Sequence, residues 1–294
     1  MYIDRFGDKY YKLALHLHTT LSDGAKSPEE VAMEYKSEGY DAIALTDHWY
    51  FGEEKTLSGL QIISGIEYNV GNGDTATGEM HIVALGATYE PDVKRDGATR
   101  SKIVAAIEAA GGIAVLAHPA WSLNTLYDLE ELPTVSFTEI YNAVSEAHES
   151  MRAYSDYFVD VAANRGRYLG LLATDDAHYY DGTDNCRGWV YVKSDSPSTD
   201  SLISALKRGD FYATQAPTVS LKRDGDRFSL TTSPASVITA HSNRAWRAGR
   251  TLRGENLTQF TYEFGALERW VRFEIIDSKG RRAYTNIYKR QQND

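Results

Sequence analysis

The sequence predicts an α/β fold, a closed or distorted barrel followed by a small all-β unit. Three observations carry that expectation. Short runs rich in Ile, Leu and Val recur at 13–17, 41–46, 62–66, 113–117, 137–141 and 169–174, with helical patterns between several of them. Such alternation builds a largely parallel sheet. Polar clusters of His, Asp and Glu follow almost every run, which suits a barrel with its working residues at one rim better than an open sheet. Beyond about residue 212 short alternating runs take over, separated by Asp-Gly, Ser-Pro and Lys-Gly turns. That is the pattern of a small β-sandwich. The expected division is 1–212 for the barrel and 213–294 for the sandwich.

Each element has its own signal. The first run ends in "HLHTTLSDG", where His16 and His18 stand two residues apart and share one face of a strand. Ser27-Pro28-Glu29-Glu30 reads as a capping box with proline in the first helical turn, and that helix should stop near Gly39. "GNGDTATGE" (71–79) suggests a hairpin between a strand ending near Tyr68 and one starting near Met80, which would bring His81 beside Glu67. "RSKIVAAIEAAGG" places Ile103, Val104, Ile107 and Ala110 on one helical face and ends in glycines. "ESMRAYSDYFVDVAANRG" and "TDSLISALKRG" predict two further helices. "RFSLTT", "SVITAHS", "LTQFTYEF", "WVRFEIID" and "RRAYTNIY" are the sandwich strands.

Composition narrows the function classes. The chain has 294 residues, 41 acidic against 31 basic, for a formal net charge of −10. Without a long basic run, duplex nucleic acid is not expected as a partner. One cysteine, Cys186, excludes an internal disulfide framework. Neither a signal-peptide pattern nor a run of about 18 apolar residues is seen, so no membrane span and a cytoplasmic location are expected.

Six of the eight histidines, His16, His18, His48, His81, His118 and His178, fall in polar clusters at expected strand ends. Their carboxylate neighbours are Asp23, Asp47, Glu67, Asp175 and Asp176. One histidine after an apolar strand is more often structural. Six at one rim, each with an acid, point to metal. Mixed imidazole and carboxylate donors suit Zn, Mn or Fe rather than Mg or Ca. The donors outnumber the needs of one tetrahedral site, so two or three divalent ions are expected. A carboxylate such as Glu67 can bridge a pair about 3.5–4 Å apart and leave room for a bridging hydroxide.

The ordered series "HLHTTLSDG", "LTDHW", "SGIEY", "MHIVALG", "AHPAW" and "TDDAH", over residues 13–178, resembles the polymerase-and-histidinol-phosphatase (PHP) family. The resemblance implies a distorted (β/α)7 barrel with a trinuclear site. It implies that His16, His18, Glu67 and Asp176 hold a first metal, that Glu67 bridges to a second completed by His81 and His118, and that Asp23, His48 and His178 hold a third. Asp176 is preferred to Asp175 because the family pattern is Asp-x-His. "DAHYYDGTDNCRGWVYVKSDS", "GDFYATQAP" and "FEIIDSKGRRAYTN" look like the branch that includes carbaryl hydrolase, which carries a C-terminal β-sandwich. "QAP" stands where Gln-Gly-Pro would be expected.

These features make a metal-dependent hydrolase the expected function. The first choice is a phosphoesterase acting on a small phosphorylated molecule, a phosphomonoester or a cyclic phosphodiester. A metal-bridging hydroxide would attack phosphorus, and His178, Asp23 or a metal-bound water would protonate the leaving group. Phosphatases of the family usually carry an arginine two residues after the His-Pro pair. Here the stretch is His118-Pro119-Ala120-Trp121, so Arg187 is the candidate phosphate anchor. Trp121 and Trp49 are candidates for an aromatic wall around the substrate. The alternatives are an ester, amide or carbamate hydrolase, and a catalytically silent metal-binding barrel.

Asp47 and Asp175 are expected to orient imidazoles. Glu139 and Asn142 are candidates to face the site or to serve the fold. His148 is read as solvent-facing, His241 as structural and "RAWRAGR" as solvated surface. Self-association into a homo-oligomer is one role open to the C-terminal unit.

Overall fold

The computed structural model describes residues 1–71 and 78–291. Two sheets form the barrel. In the first, β1 (Lys9–Ala14), β2 (Ala42–Ala44) and β3 (Leu60–Ile63) run parallel. In the second, β4 (Gly65–Val70) and β5 (Met80–Leu85) pair antiparallel, and β5 pairs antiparallel with β6 (Ile113–Leu116). From there β6, β7 (Phe137–Asn142) and β8 (Gly170–Thr174) run parallel. Isolated bridges join the two sheets, Leu17 with Ala177 and His48 with Glu67. Closure therefore happens at the strand ends that carry the histidines and acids. Inside, Leu15, Ile63, Ile82, Val115, Ile140 and Leu171 belong to one buried apolar core.

The helices form where the sequence signals them. α1 (Pro28–Ser37) opens with the capping box: Ser27 accepts from the Glu30 N–H while Glu30 accepts from the Ser27 N–H at 2.8 Å. α2 (Arg100–Ala109) is capped by Thr99 and buries Ile103, Val104 and Ile107. The run at 149–166 departs from expectation. A π-type turn at Ser145–Glu149 and a left-handed Met151 precede a shorter α3 (Asp156–Asn164). The intervening backbone instead hydrogen-bonds to β7, with Asn142 N–H donating to Ala153 O at 3.1 Å and Ser155 N–H to Ile140 O at 3.0 Å.

The run at 62–66 also divides, because β3 and β4 belong to different sheets. Gly65 sits at the division, where a Cβ would meet Leu45 O at 2.7 Å. The expected hairpin is present in its strands β4 and β5, and His81 lies opposite Asn69. Its tip, residues 72–77, lies outside the described residues.

After β9 (Trp189–Lys193) comes α4 (Thr199–Arg208), which ends at left-handed Gly209, a conformation glycine adopts without a Cβ clash. β10 (Phe211–Thr214) then pairs with β9 on one side and with β15 (Arg282–Thr285) on the other. The first sheet thus runs unbroken from the barrel into the C-terminal strands, and residue 212 falls inside the connecting strand. Beyond it, β11 (Val219–Asp224), β12 (Arg227–Ser242), β13 (Thr251–Glu263) and β14 (Trp270–Ile276) enclose their own core of Phe228, Leu230, Ile238, Phe273 and Ile275. β12 bends through irregular register near Ala235, pairing with β11 before the bend and β14 after it. Arg272 of β14, fully buried, reaches Asp160 of α3 with two hydrogen bonds of 2.6 and 3.0 Å. No helix among the described residues is long and apolar enough to cross a membrane.

Candidate metal centre

The extended segment after β1 aims His16 and His18 into the barrel mouth, where both are fully buried. Its backbone is fixed on both sides: Leu17 N–H donates to Thr46 Oγ1 at 3.1 Å and His18 N–H to Ala177 O at 3.1 Å. Four donor atoms converge there. His16 Nε2 lies 3.2 Å from Glu67 Oε2 and 3.1 Å from Asp176 Oδ1. His18 Nε2 lies 3.0 and 3.1 Å from the same two oxygens and 3.2 Å from His16 Nε2.

The remaining oxygens of the two acids face a second group. Glu67 Oε1 is 2.9 Å from His81 Nδ1 and 3.5 Å from His118 Nε2, and Asp176 Oδ2 is 3.7 Å from His118 Nε2. A third group gathers at the solvent edge. Half-exposed Asp23 stands 3.7 Å from His48 Nε2 and 3.5 Å from His178 Nε2, and its Oδ1 is 3.4 Å from His18 Nδ1.

The donor set fits divalent ions. Two imidazole nitrogens facing each other at 3.2 Å with only carboxylates around them make a poor hydrogen-bonding arrangement but a good coordination shell. Donors around a four-coordinate ion with bonds of about 2.0–2.1 Å lie about 3.3 Å apart. Asp176 Oδ1, 3.1 Å from two imidazole nitrogens, and His48 Nδ1, 3.2 Å from Glu67 Oε2, are buried yet make no well-aligned hydrogen bond, as expected of atoms that share a ligand instead. The electrostatics agree. Burial disfavours charge on every group; at His18 and His81 the carboxylates outweigh it and push the rings up to about 9 and about 10, whereas at His48 burial wins and lowers the ring to about 4. Reciprocally, the imidazoles hold Glu67 and Asp176 well below the usual carboxylate range despite burial. The cluster is built to hold positive charge.

Orienting groups surround the donors. Glu139 Oε1 accepts from His16 Nδ1 at 2.7 Å, and its Oε2 accepts from the His118 N–H and from Asn142 Nδ2, each at 2.9 Å. Asn142 Nδ2 also donates to Asp176 Oδ2 at 3.1 Å. His118 Nδ1 is 3.1 Å from Ser122 Oγ and His18 Nδ1 is 3.3 Å from Ser22 Oγ. Each such contact fixes which ring nitrogen is free to ligate.

Asp47 acts through Ser22, accepting its hydroxyl at 2.8 Å and the Thr19 N–H at 2.7 Å. Asp175 turns to the backbone instead of an imidazole, accepting from the N–H groups of Cys186, Arg187 and Gly188 and from Tyr35 OH. Asp184, which the sequence reading passed over, accepts the N–H groups of His178, Tyr179 and Tyr180 at 2.7, 2.7 and 2.9 Å. Its partners are main-chain amides, so no spacing of side chains could have signalled it. Glu79 was also passed over, although it stands two residues before His81 and lies 3.1 Å from that ring's Nε2.

Of the candidate substrate residues, Trp121 packs its ring 4.8 Å from that of His118 and 5.4 Å from that of His81. Trp49 turns away, stacking edge-on to Tyr68 and donating to Asn69 Oδ1 at 2.6 Å. Arg187 is exposed, with its backbone pinned by Asp175. His148 stacks on Tyr179 at 3.9 Å, and His241 pairs with Glu274 in the C-terminal strands. His118 and Asp176 adopt positive φ, 25° and 52°, the kind of backbone strain that clusters at functional sites.

Among solved structures, the chain is similar to a two-domain protein of Bacteroides vulgatus described as containing a PHP-like metal-dependent phosphoesterase. That match has 15% identity, 98% of this chain and 97% of that one covered, and a TM-score of 0.57. It is also similar over 59% of its length to a protein of Bifidobacterium adolescentis described as a metal-dependent phosphoesterase (14% identity, 88% of that chain, TM-score 0.41). Over 68% it is similar to a lesion-specific endonuclease of Pyrococcus furiosus (15% identity, 56% of that chain, TM-score 0.47). None of the curated proteins compared matches it. The sequence pattern of the PHP domain matches residues 14–174, more than half of the chain and the span that supplies seven of the nine converging donors; the chain belongs to the PHP domain family.

Proposed function

We propose that the protein is a metal-dependent phosphoesterase acting on a small phosphomonoester or cyclic phosphodiester. Membership of the PHP family and the His/Asp/Glu cluster fit a metal-dependent hydrolase. The observation that carries the reading is the convergence of His16 Nε2, His18 Nε2, Glu67 Oε2 and Asp176 Oδ1. Divalent ions held there would supply a Lewis acid for the phosphoryl oxygens and a water acidified towards neutral pH.

In this reading Glu67 and Asp176 each offer one oxygen to the first group and the other to His81 and His118, so the two acids would hold two ions side by side. Asp23, His48 and His178 would hold a third. The proton for the departing oxygen would come from a water at this solvent edge, since Asp23 or His178 has one to give only when it is not ligating. Glu139, Ser22 and Ser122 keep the rings in the tautomers that ligation needs.

Trp121 favours a second reading, hydrolysis of an aryl ester or carbamate by the same centre. Its indole lies against His118 and His81, where it can stack on a planar leaving group. The test is metal analysis joined to a substrate panel, with the protein reconstituted in Mn, Zn or Fe and His16→Ala as control. The panel holds phosphomonoesters, cyclic and linear phosphodiesters, aryl esters and carbamates. Metal-dependent phosphate release that His16→Ala loses is the expected result. Turnover of esters or carbamates alone selects the second reading, and absence of bound metal under every condition overturns both.

A further inference from the structure

Three stretches singled out in the sequence, "NCRGW", "QAP" and "DSKGRR", lie far apart along the chain yet contribute residues to one cavity of about 320 Å³. It opens between the barrel rim and the hairpin joining β14 to β15. Arg187 comes from the rim, Lys279 and Arg281 from the hairpin, and Glu146, Tyr154 and Gln215 complete the walls.

Both walls are held in place. Asp277 Oδ1 accepts the N–H groups of Lys279 and Arg281 at 2.8 and 3.0 Å. Gln215 Oε1 accepts the Arg282 N–H at 2.9 Å, and Gln215 Nε2 donates to Tyr154 OH at 3.4 Å, tying the hairpin to the barrel. On the opposite side Asp175 accepts the Arg187 N–H at 2.7 Å.

The charges in this enclosure do not cancel. Arg281 is paired with Asp277 at 2.7 Å, and Glu146, which accepts from Tyr141 OH at 2.7 Å, leaves one negative charge against the two of Arg187 and Lys279. Neither the Arg187 nor the Lys279 side chain has a carboxylate or hydrogen-bond partner among the described residues. In a chain of net charge −10, two exposed cations without a protein partner, brought to one cavity from opposite walls, leave it a positive excess that favours an anion.

We propose that this cavity binds a phosphate-type dianion, with Arg187 as the paired donor and Lys279 as the point charge. A free phosphate and a phosphoryl group on a substrate reaching out from the metal centre share that chemistry. The proposal does not rest on the hydrolase reading, because it is tested on metal-stripped protein.

The experiment titrates the full-length chain, stripped by chelator and desalted, with inorganic phosphate and with sulfate in a calorimeter. One-to-one binding is expected, weakened by about tenfold or more in the Arg187→Ala/Lys279→Ala double variant and retained in Lys94→Ala. The exposed single change Lys279→Glu repeats the loss should the double variant fold poorly. Absence of binding by the unmutated chain, or equal binding by the double variant, overturns the proposal. Hexanediol bisphosphate titrated into the metal-loaded chain then separates the two sources. A gain of about tenfold over phosphate, lost in the double variant, assigns the cavity to one end of a substrate that spans to the metals. Equal affinity assigns it to a free anion.

Discussion

Glu139 Oε1 accepts the Nδ1 proton of His16 at 2.7 Å in a fully buried pair, while Glu139 Oε2 accepts the main-chain N–H of His118 at 2.9 Å. One carboxylate thereby sets the tautomer of a ring in the first donor group and the backbone of a ring in the second. Glu139→Gln should keep the fold but lower metal affinity by about 10–100-fold, the usual effect of losing an outer hydrogen bond to a ligating imidazole. Metal titration with a competing chelator measures the loss. Unchanged affinity would make Glu139 a purely structural acid.

Metal should stabilise the fold as well as serve chemistry, because the donor set is organised only in the native state. At metal concentrations about 100 times the dissociation constant the gain is about 2.7 kcal/mol, several degrees in melting temperature for a chain of this size. Thermal melts with and without chelator should show that difference, and His16→Ala should abolish it.

Asp184 is buried and takes three consecutive N–H groups at His178–Tyr180. Asp184→Ala leaves those amides without an acceptor, at about 1–3 kcal/mol for each that water cannot reach. We expect a lower urea midpoint and weaker binding at the group formed by Asp23, His48 and His178. Equal midpoints would mean that water replaces the carboxylate without loss.

The sequence made the strand ends legible because each His or acid follows an apolar run that pins it to one rim, as His16, His48 and His118 do. The hairpin that brings His81 to Glu67 was legible for the same reason: its glycines sit between two strand patterns. The helix expected over 149–166 was legible only in its second part, Asp156–Asn164, because pairing of Tyr154 with Tyr141 depends on a tertiary contact that outcompetes local helical preference before it. The continuous sheet through Phe211–Thr214 was not legible, since alternation reports which residues are half-buried and not which strand lies alongside. Trp49 and Trp121 follow ligand motifs alike, yet Trp49, in left-handed backbone at φ 54°, packs on Tyr68 while Trp121 packs on the imidazoles.

Trp121 is the residue through which leaving-group preference should be altered. Trp121→Ala removes the ring packed on His118 and His81 without touching a donor atom. Metal content should hold, while kcat/KM falls more for aryl than for alkyl substrates of the same reactive group, by about 0.5–1.5 kcal/mol in stacking. An equal fall for both kinds would assign Trp121 to ring support alone.

The seam between α3 and the C-terminal strands should give the fold a pH dependence of its own. Glu274 is buried there, accepting from His241 at 2.9 Å and from Arg282 at 2.9 Å. Burial disfavours its charge, but His241, Arg272 and Arg282 together hold its carboxyl below the usual glutamate range. A depressed native pKa means that the unfolded chain binds the proton more tightly, so this contribution is complete above the unfolded glutamate value of about 4.3 and is lost as pH falls towards the native one. Urea unfolding as a function of pH should therefore show stability falling on the acid side, and Glu274→Gln should flatten that limb while lowering stability near neutral pH. The same sign does not extend to Asp156, whose carboxyl burial and the neighbouring Glu274 raise above its ordinary value. That group binds its proton more tightly in the folded state and favours folding as pH falls. Asp156→Asn should accordingly steepen the acid limb, so opposite effects from two acids in one seam separate local electrostatics from general acid unfolding.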